Sequence, residues 1–174
     1  MVKRHLKSLN TPKTWNVGRK ATVYVTRPNP GAHSFNLGYS INHLLKNELK
    51  LSSKLKETKY ILNNSDCLVN GKAVKDTSYI VGFMDVVSFP KINKHFRMLL
   101  NDKGKIVPVD IDKKETNIKL LKLMNKTLIK GGKLQLNTLD GRNILVDKGD
   151  YETSNTLVVE LPSQKVTKSL PFKE

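Results

Sequence analysis

The first clear periodicity in the chain is helical and begins at residue 41. Four apolar residues recur at spacings that place them on one helix face: Ile41, Leu44, Leu45 and Leu49. Ser52 and Ser53 interrupt this helix, and Ser53 suits the N-cap of a second helix over residues 54–63. We expect three side chains of the second helix to face inward: Leu55, Thr58 and Leu62.

The strongest turn signal is the dipeptide Asn70-Gly71, which mainly apolar residues flank at 67–69 and 72–74. A type I′ turn needs positive φ at both central residues, and asparagine and glycine tolerate that conformation. We therefore predict a tight β-hairpin here. A further strand over residues 84–89, after Gly82, is expected to pair with it.

Between residues 91 and 174 the pattern is mainly that of short strands. Strands are expected at residues 95–100, 105–111, 126–130, 133–139 and 142–147, with turns at Gly131-Gly132 and Asp140-Gly141. A last strand alternates through Leu157, Val159 and Leu161 and ends at Pro162. We expect these strands to form a small closed or nearly closed antiparallel barrel.

One helix is predicted among these strands. Asp112 and Glu115 would open it, and it would reach about residue 124. Ile118, Leu121 and Met124 would then form its apolar side. The fold class predicted from the whole pattern is α+β.

Residues 1–40 show no usable hydrophobic period, and prolines interrupt them at Pro12, Pro28 and Pro30. We predict an extended arm with one short strand at residues 21–25. Such a segment cannot bury enough apolar surface to offset its own ordering entropy. We therefore expect it to need a partner to become ordered.

Charge indicates which partner this would be. The chain has 31 Lys+Arg against 15 Asp+Glu, a net charge of +16 and a pI near 9.9. The first 47 residues contain no acidic side chain, whereas the first 40 contain seven cationic ones: Lys3, Arg4, Lys7, Lys13, Arg19, Lys20 and Arg27. Cations without internal neutralisation need an external counter-charge, and a phosphate backbone is its commonest macromolecular source. The N-terminal segment is therefore predicted to bind a polyanion.

Composition also argues against several functional classes. Cys67 is a lone cysteine, which excludes an intramolecular disulfide, suits a reducing cytoplasm and reads as a small buried hydrophobe. No apolar run approaches the roughly 18 residues of a membrane helix. The four histidines are scattered, so we expect no metal site and no cofactor: His5, His33, His43 and His95. Asp140 is explained by its turn, and no catalytic motif is present.

The two helices, the basic turn and the Asn-Gly hairpin resemble the alpha-L RNA-binding module of several ribosomal proteins and RNA-modifying enzymes. Four further segments look like the archaeal and eukaryotic small-subunit ribosomal protein family S4e: KRHLKSLNTPKTW at 3–15, RPNPGAHS at 27–34, VGFMDVVS at 81–88 and KGGKLQLNTLDGRNILV at 130–146. The last of these is closer to the archaeal branch. The resemblance therefore covers nearly the whole chain.

Three positions depart from the family pattern. Ala32 stands where family members usually have proline, and Ser154-Asn155 replaces a usual Gly-Asp. Both lie in predicted loops. In the family a KOW-type barrel follows LPFKE, whereas this sequence stops at Glu174, so that domain is either lost or outside the given sequence.

The predicted RNA-binding residues come from the arm, the second helix and the hairpin. Aromatic residues interleaved with the arm's cations, among them Trp15, Tyr24, Phe35 and Tyr39, favour RNA because rings stack on splayed bases while cations hold phosphates. Lysines and a helix N-terminus converging on one surface would suit an anion. The predicted set is Lys3, Arg4, His5, Lys7, Lys13, Trp15, Arg19, Lys20, Arg27, His33, Lys54, Lys56, Lys59, Lys72 and Lys75. The alternative is that the arm is only a solvated tail and that the three lysines of the second helix lie on an ordinary solvated face.

The resemblance implies three segments: a basic rRNA-binding arm (1–40), an alpha-L module (41–90) and a central β-rich domain (91–174). It implies a structural, non-enzymatic protein of the small ribosomal subunit in the cytoplasm. Its partners would be small-subunit ribosomal RNA and neighbouring ribosomal proteins, with no membrane and no small-molecule substrate. Two other functions remain open, an RNA-modifying enzyme and a free-standing RNA chaperone that use the same module.

Overall fold

The computed structural model describes residues 5–18, 20–147, 149 and 151–172. The chain forms two compact units, Met1–Thr116 and Asn117–Glu174, each built mostly of strands with few helices. This mixed composition agrees with the predicted class. The hydrophobic core of each unit is formed by residues of that unit.

The first unit is organised around a five-stranded antiparallel sheet in the order β5-β4-β7-β8-β9. Two short ribbons, β1 with β2 and β3 with β6, accompany it. The strands are β1 (Leu6–Lys7), β2 (Tyr24–Val25), β3 (Gly38–Ser40), β4 (Leu68–Val69), β5 (Lys72–Ala73), β6 (Ile80–Gly82), β7 (Val86–Phe89), β8 (Lys94–Leu100) and β9 (Ile106–Asp110).

The first predicted helix is present as α1 (Ile41–His43), which continues as a π-helical turn over Leu44–Glu48. Its N-terminus is capped by the Ser40 hydroxyl, which accepts a hydrogen bond from the His43 amide at 3.3 Å. The predicted apolar face is confirmed, because Ile41, Leu44 and Leu45 are fully buried in the core.

The second predicted helix is α2 (Leu55–Asn63), but two details of the prediction were wrong. Thr58 and Leu62 are fully buried as expected, whereas Leu55 is 46% exposed because it lies in the first turn, beyond the core contact. Ser53 does not cap the helix with its side chain. The Glu57 carboxylate reaches back instead and accepts hydrogen bonds from the Ser53 and Lys54 amides at 2.7 and 3.2 Å.

The predicted hairpin is confirmed. Asn70 and Gly71 have φ of 51° and 79°, as a type I′ turn requires, and Val69 lies opposite Lys72. The expected third strand is β7, which places Val87 opposite Val69. The turn residues therefore determined this local structure.

The prediction that the N-terminal segment lacks a hydrophobic core was wrong, whereas its need for a partner to become ordered stays a prediction. Leu6 and Trp15 are buried in the core of the first unit, and the Trp15 ring lies 5.2 Å from the Phe35 ring. The Thr14 carbonyl also accepts a hydrogen bond from the Ile106 amide at 2.8 Å. A single tryptophan buries a large apolar area without creating a repeating pattern in the sequence. The hydrophobic periodicity of residues 1–40 therefore gave no sign that Trp15 anchors this segment in the core.

The second unit is one five-stranded antiparallel sheet in the order β12-β11-β10-β13-β14. Its strands are β10 (Ile118–Leu128), β11 (Leu134–Thr138), β12 (Asn143–Val146), β13 (Thr156–Glu160) and β14 (Lys165–Leu170). Strand β14 was not predicted, because it follows the break at Pro162. Pairing of β12 with β14 is not seen in the described residues, so the predicted barrel closure stays a prediction.

The predicted helix over residues 112–124 was wrong. A short 3₁₀ turn, Lys113–Glu115, is followed by the long strand β10. The inward side chains of β10 alternate as Lys119, Leu121 and Leu123. Because the first inward residue is a lysine, the sequence does not show the alternation of apolar and polar residues that is typical of a strand.

Lys119 is buried because Asp140 neutralises it, with Nζ 2.8 Å from Oδ2. Asp140 also accepts hydrogen bonds from the Thr138 hydroxyl at 2.6 Å and from Arg142 Nε at 2.9 Å. Burial by itself raises the pKa of Asp140, but the charge and hydrogen bond of Lys119, together with Thr138 and the Arg142 amide, outweigh it and lower the pKa. Asp140 therefore has a structural role beyond its turn.

The division between the compact units falls after Thr116 and not at residue 90. Strands β8 and β9 pair in succession with β7, which carries residues 94–110 into the first sheet. No helix in the described residues is long and apolar enough to cross a lipid bilayer.

Candidate nucleic-acid interface

The predicted RNA-binding residues fall into three groups in the structure. Lys3, Arg4 and Arg19 lie outside the described residues. Trp15 and the His33 side chain are buried, which corrects their prediction. The remaining residues are exposed or, for Arg27, half-buried: His5, Lys7, Lys13, Lys20, Arg27, Lys54, Lys56, Lys59, Lys72 and Lys75.

Trp15 cannot stack on a base in this structure because its ring is only 3% exposed. Its indole N–H donates to the Phe35 carbonyl at 3.3 Å, and the ring also lies against Tyr39 and His43. Tyr39 is fully buried as well. Of the four interleaved aromatic residues, Tyr24 is the one that the fold leaves largely exposed, at 57%.

His33 joins a buried hydrogen-bond network instead of an RNA surface. Its Nε2 lies 2.8 Å from Oδ2 of Asp85, which also accepts from the Gly82 amide at 3.0 Å. The other oxygen of Asp85 accepts from the Asn70 side chain at 2.8 Å. The His33 ring covers Gly82 so closely that a Cβ there would collide with it. His33 therefore ties the N-terminal segment to the hairpin turn.

Arg27 is partly committed to the fold. Its guanidinium carbon lies 5.4 Å from the centre of the Phe35 ring, a cation–π distance. The residue is half-buried, so it keeps some access to solvent.

The exposed face of α2 carries Lys54, Lys56 and Lys59, as predicted. The helix N-terminus does not add to an anion site, because the Glu57 carboxylate already lies there, accepting from the Ser53 and Lys54 amides, and its negative charge disfavours a second anion. Those hydrogen bonds lower the pKa of Glu57. Tyr60, one turn from Lys56, is 71% exposed and was missed, although its spacing from Lys56 would have indicated the same face.

Three buried titratable groups of the first unit are neutral structural groups: His43, Tyr39 and Cys67. Burial lowers the pKa of His43 to about 4, against a hydrogen bond with the Asn16 backbone, and burial raises the pKa of Tyr39, with Glu48 adding to the rise. Burial also raises the pKa of Cys67 to about 12, so its thiol is not a nucleophile at neutral pH. Within the described residues, no group of His, Cys, Asp and Glu could hold a metal ion.

Comparison with known proteins identifies the family. Residues 92–166 match the ribosomal family S4e, and residues 2–36 match the RS4NT (NUC023) domain. The chain is 43% identical over 172 residues to the small ribosomal subunit protein eS4 of Methanosphaera stadtmanae, covering 99% of this chain and 71% of that protein. The chain belongs to the ribosomal S4e family.

Two further comparisons support the S4e assignment. The small ribosomal subunit protein eS4 of Nanoarchaeum equitans is 40% identical over 174 residues, which cover 99% of this chain and 74% of that protein. The crystal structure of the 30S ribosomal protein S4e from Thermoplasma acidophilum matches with a TM-score of 0.67 and 31% identity, over 79% of this chain and 70% of that one. The resemblance read from the sequence is thereby confirmed.

Membership of S4e also decides between the functional classes. S4e is a ribosomal family whose members are structural and not enzymatic, which removes the RNA-modifying alternative. The RS4NT match places residues 2–36, which hold seven cations, inside a defined domain of the family.

Proposed function

We propose that this S4e chain is a structural constituent of the small ribosomal subunit, located on cytoplasmic ribosomes. It binds ribosomal RNA through the cations of its N-terminal segment and through an alpha-L-like surface formed by α2 and the Asn70-Gly71 hairpin. Neighbouring ribosomal proteins would be its other partners. The mechanism is neutralisation of phosphate charge and matching of shape, without chemistry.

One observation carries this proposal: most of the exposed lysines of these two surfaces have no carboxylate partner among the described residues. They are Lys7, Lys13, Lys20, Lys56, Lys59, Lys72 and Lys75, whereas the charge of Lys54 acts on the Glu57 carboxylate. Elsewhere the chain does neutralise lysines, since Lys91 pairs with Asp66 at 2.7 Å and Lys133 with Asp147 at 3.8 Å. Unpaired cations on a chain of net charge +16 leave their neutralisation to a polyanion.

The salt dependence of binding to a small-subunit RNA fragment tests the proposal. Each lysine that contacts a phosphate adds about one unit to the slope of log K against log salt. The triple variant Lys7→Ala, Lys13→Ala and Lys20→Ala should lower this slope by up to about three. A second triple variant at positions 54, 56 and 59 should lower it by less, because one short helix face does not bring all three onto phosphates.

The matched control is the double variant Lys91→Ala and Lys133→Ala, which removes lysines that already have a partner. Its slope should stay near that of the wild type. If the N-terminal variant also keeps the wild-type slope, these cations form a solvated tail and the RNA-binding proposal fails. Sedimentation of a lysate on a sucrose gradient distinguishes the proposed ribosomal protein from the remaining alternative, a free-standing RNA chaperone. The chaperone would not migrate with small subunits.

A further inference from the structure

A polar cleft lies in the first unit between β2 and the helix that begins at Ile41. Six of the residues that line it supply its chemistry: Thr22, Tyr24, Thr26, Asn42, Lys46 and Asn47. An aromatic ring and several hydrogen-bonding groups around one opening are the features that a protein uses to hold an unstacked base. The cleft carries no signal in the sequence, because about 20 residues separate its two walls.

Asn42 is the most informative residue of the cleft. Its side-chain amide donates to the Thr26 hydroxyl at 2.6 Å, and its backbone amide donates to the Thr77 carbonyl at 3.2 Å. These bonds fix the residue, which is only 9% exposed. Its Oδ1 is buried and accepts no hydrogen bond from the described residues. A buried acceptor without a donor is unfavourable, so a ligand that brings an N–H would satisfy it.

The rim of the cleft suits the rest of a nucleotide. Tyr24 presents an exposed ring, with the His5 ring 5.9 Å away and tilted by 58°, so the two rings do not cover each other face to face. Lys46 is exposed at the rim, and Lys7 lies opposite Tyr24 in the β1–β2 ribbon. Cations on both sides of an exposed ring can hold the phosphates that precede and follow a stacked base.

We propose that this cleft holds one unstacked base of an RNA strand, with Tyr24 stacked on its face and Asn42 Oδ1 accepting a hydrogen bond from its exocyclic amine. The inference rests on the proposed RNA binding and names a residue-level contact within it. Adenine, cytosine and guanine carry such an amine. The N3–H of uracil is flanked by two carbonyl oxygens, which would lose their water in the cleft without gaining a donor from Asn42 Oδ1.

The test uses the full chain and two RNA heptamers of equal charge, each a run of uridines with one central substitution. One heptamer carries adenosine at the centre, and the other carries purine riboside, which differs only by lacking the amine. We expect the adenosine heptamer to bind about 5-fold more tightly. Tyr24→Ala should weaken binding of the adenosine heptamer about 10-fold, whereas Tyr24→Phe should stay near the wild type.

Phe172→Ala is the matched control, since it removes another largely exposed aromatic ring, which lies in the second unit and outside the proposed RNA-binding surfaces. Tyr24 is exposed, so its variants should fold, and an unchanged urea midpoint checks this. Equal affinity for the two heptamers, or no effect of Tyr24→Ala, overturns the inference. If the lysine variants nevertheless lower the salt slope of binding to the ribosomal RNA fragment, the proposed function stands without the base cleft. If the chain binds no RNA, both fail.

Discussion

Replacing Asp85 by asparagine tests the hydrogen-bond network under the hairpin turn. The Asp85 carboxylate is 2% exposed and accepts hydrogen bonds through both oxygens, from Asn70 on one side and from Gly82 and His33 on the other. The Asn70 side chain cannot turn freely, because its own oxygen accepts from the Val86 amide at 3.1 Å. Asn70, Gly82 and His33 therefore all donate to this carboxylate.

An asparagine at position 85 has nearly the same shape but only one accepting oxygen. If that oxygen faces Gly82, its NH₂ faces the NH₂ of Asn70, and if it faces Asn70, its NH₂ faces the Gly82 amide. Turning Asn70 would only move the conflict to the Val86 amide. One buried donor is left without an acceptor in each arrangement, which costs roughly 1–3 kcal/mol. The loss of charge-assisted bonds adds to this, so we expect about 2–4 kcal/mol.

Urea unfolding of the intact chain, followed by circular dichroism, measures this cost. Asp110→Asn is the matched control, because Asp110 is exposed at the end of the edge strand β9 and the change is chemically identical. The control should stay within about 0.5 kcal/mol of the wild type. If Asp85→Asn also stays within that range, the network does not constrain the turn and the argument is refuted.

Three further predictions concern the core, the turn and the buried histidine. Trp15→Ala should destabilise the first unit by about 3–5 kcal/mol, because it removes the aromatic anchor of the N-terminal segment, and a urea midpoint unchanged from the wild type would contradict that anchor. Gly71→Val should lower the free energy of unfolding by about 1–2 kcal/mol, because valine disfavours the φ of 79°. A steric clash does not contribute, since a Cβ there meets nothing within 4 Å, and Gly71→Asn is the control in thermal unfolding. The pKa of His43 is about 4 in the folded chain and 6.5 ordinarily, so the unfolded chain binds the extra proton and stability should fall by up to about 3 kcal/mol as the pH drops from 6.5 towards 4. The stability of His43→Gln should not fall over this pH range, whereas that of the control His5→Gln should fall as in the wild type. Burial raises the pKa of Glu48, which opposes the fall equally in both variants. Equal pH profiles of stability for the two variants would refute the assignment to His43.

The elements that the sequence predicted correctly are those whose information is local. The helix beginning at Ile41 shows its buried face in its spacing, and Asn70-Gly71 specifies its turn through the φ angles that the two residues accept. Strand β10 was read as a helix because Lys119, an inward residue, interrupts the apolar alternation. The Asp140 carboxylate that neutralises this lysine lies 21 residues away in the sequence, so the strand itself carries no sign of it.

The candidate site was predictable in charge but not in accessibility. The lysines at positions 54, 56 and 59 are exposed as expected, which is the usual state of lysine and so a weak test. Trp15 and His33 were assigned to RNA because they stand among cations, yet each is held by long-range partners, Phe35 and Asp85. Such partners carry no local signal in one sequence. The cleft at Tyr24 and Asn42 was missed for the same reason.

The bond between the Thr14 carbonyl and the Ile106 amide has a consequence for synthesis of the protein. The ribosome makes the N-terminal segment first, and at about 5–20 residues per second Ile106 follows Thr14 by roughly 5–20 seconds. During this interval Leu6 and Trp15 lack part of the core that later covers them. The nascent segment therefore presents uncovered apolar groups beside unneutralised cations. The first unit can bury these apolar groups fully only after residue 106 has been made.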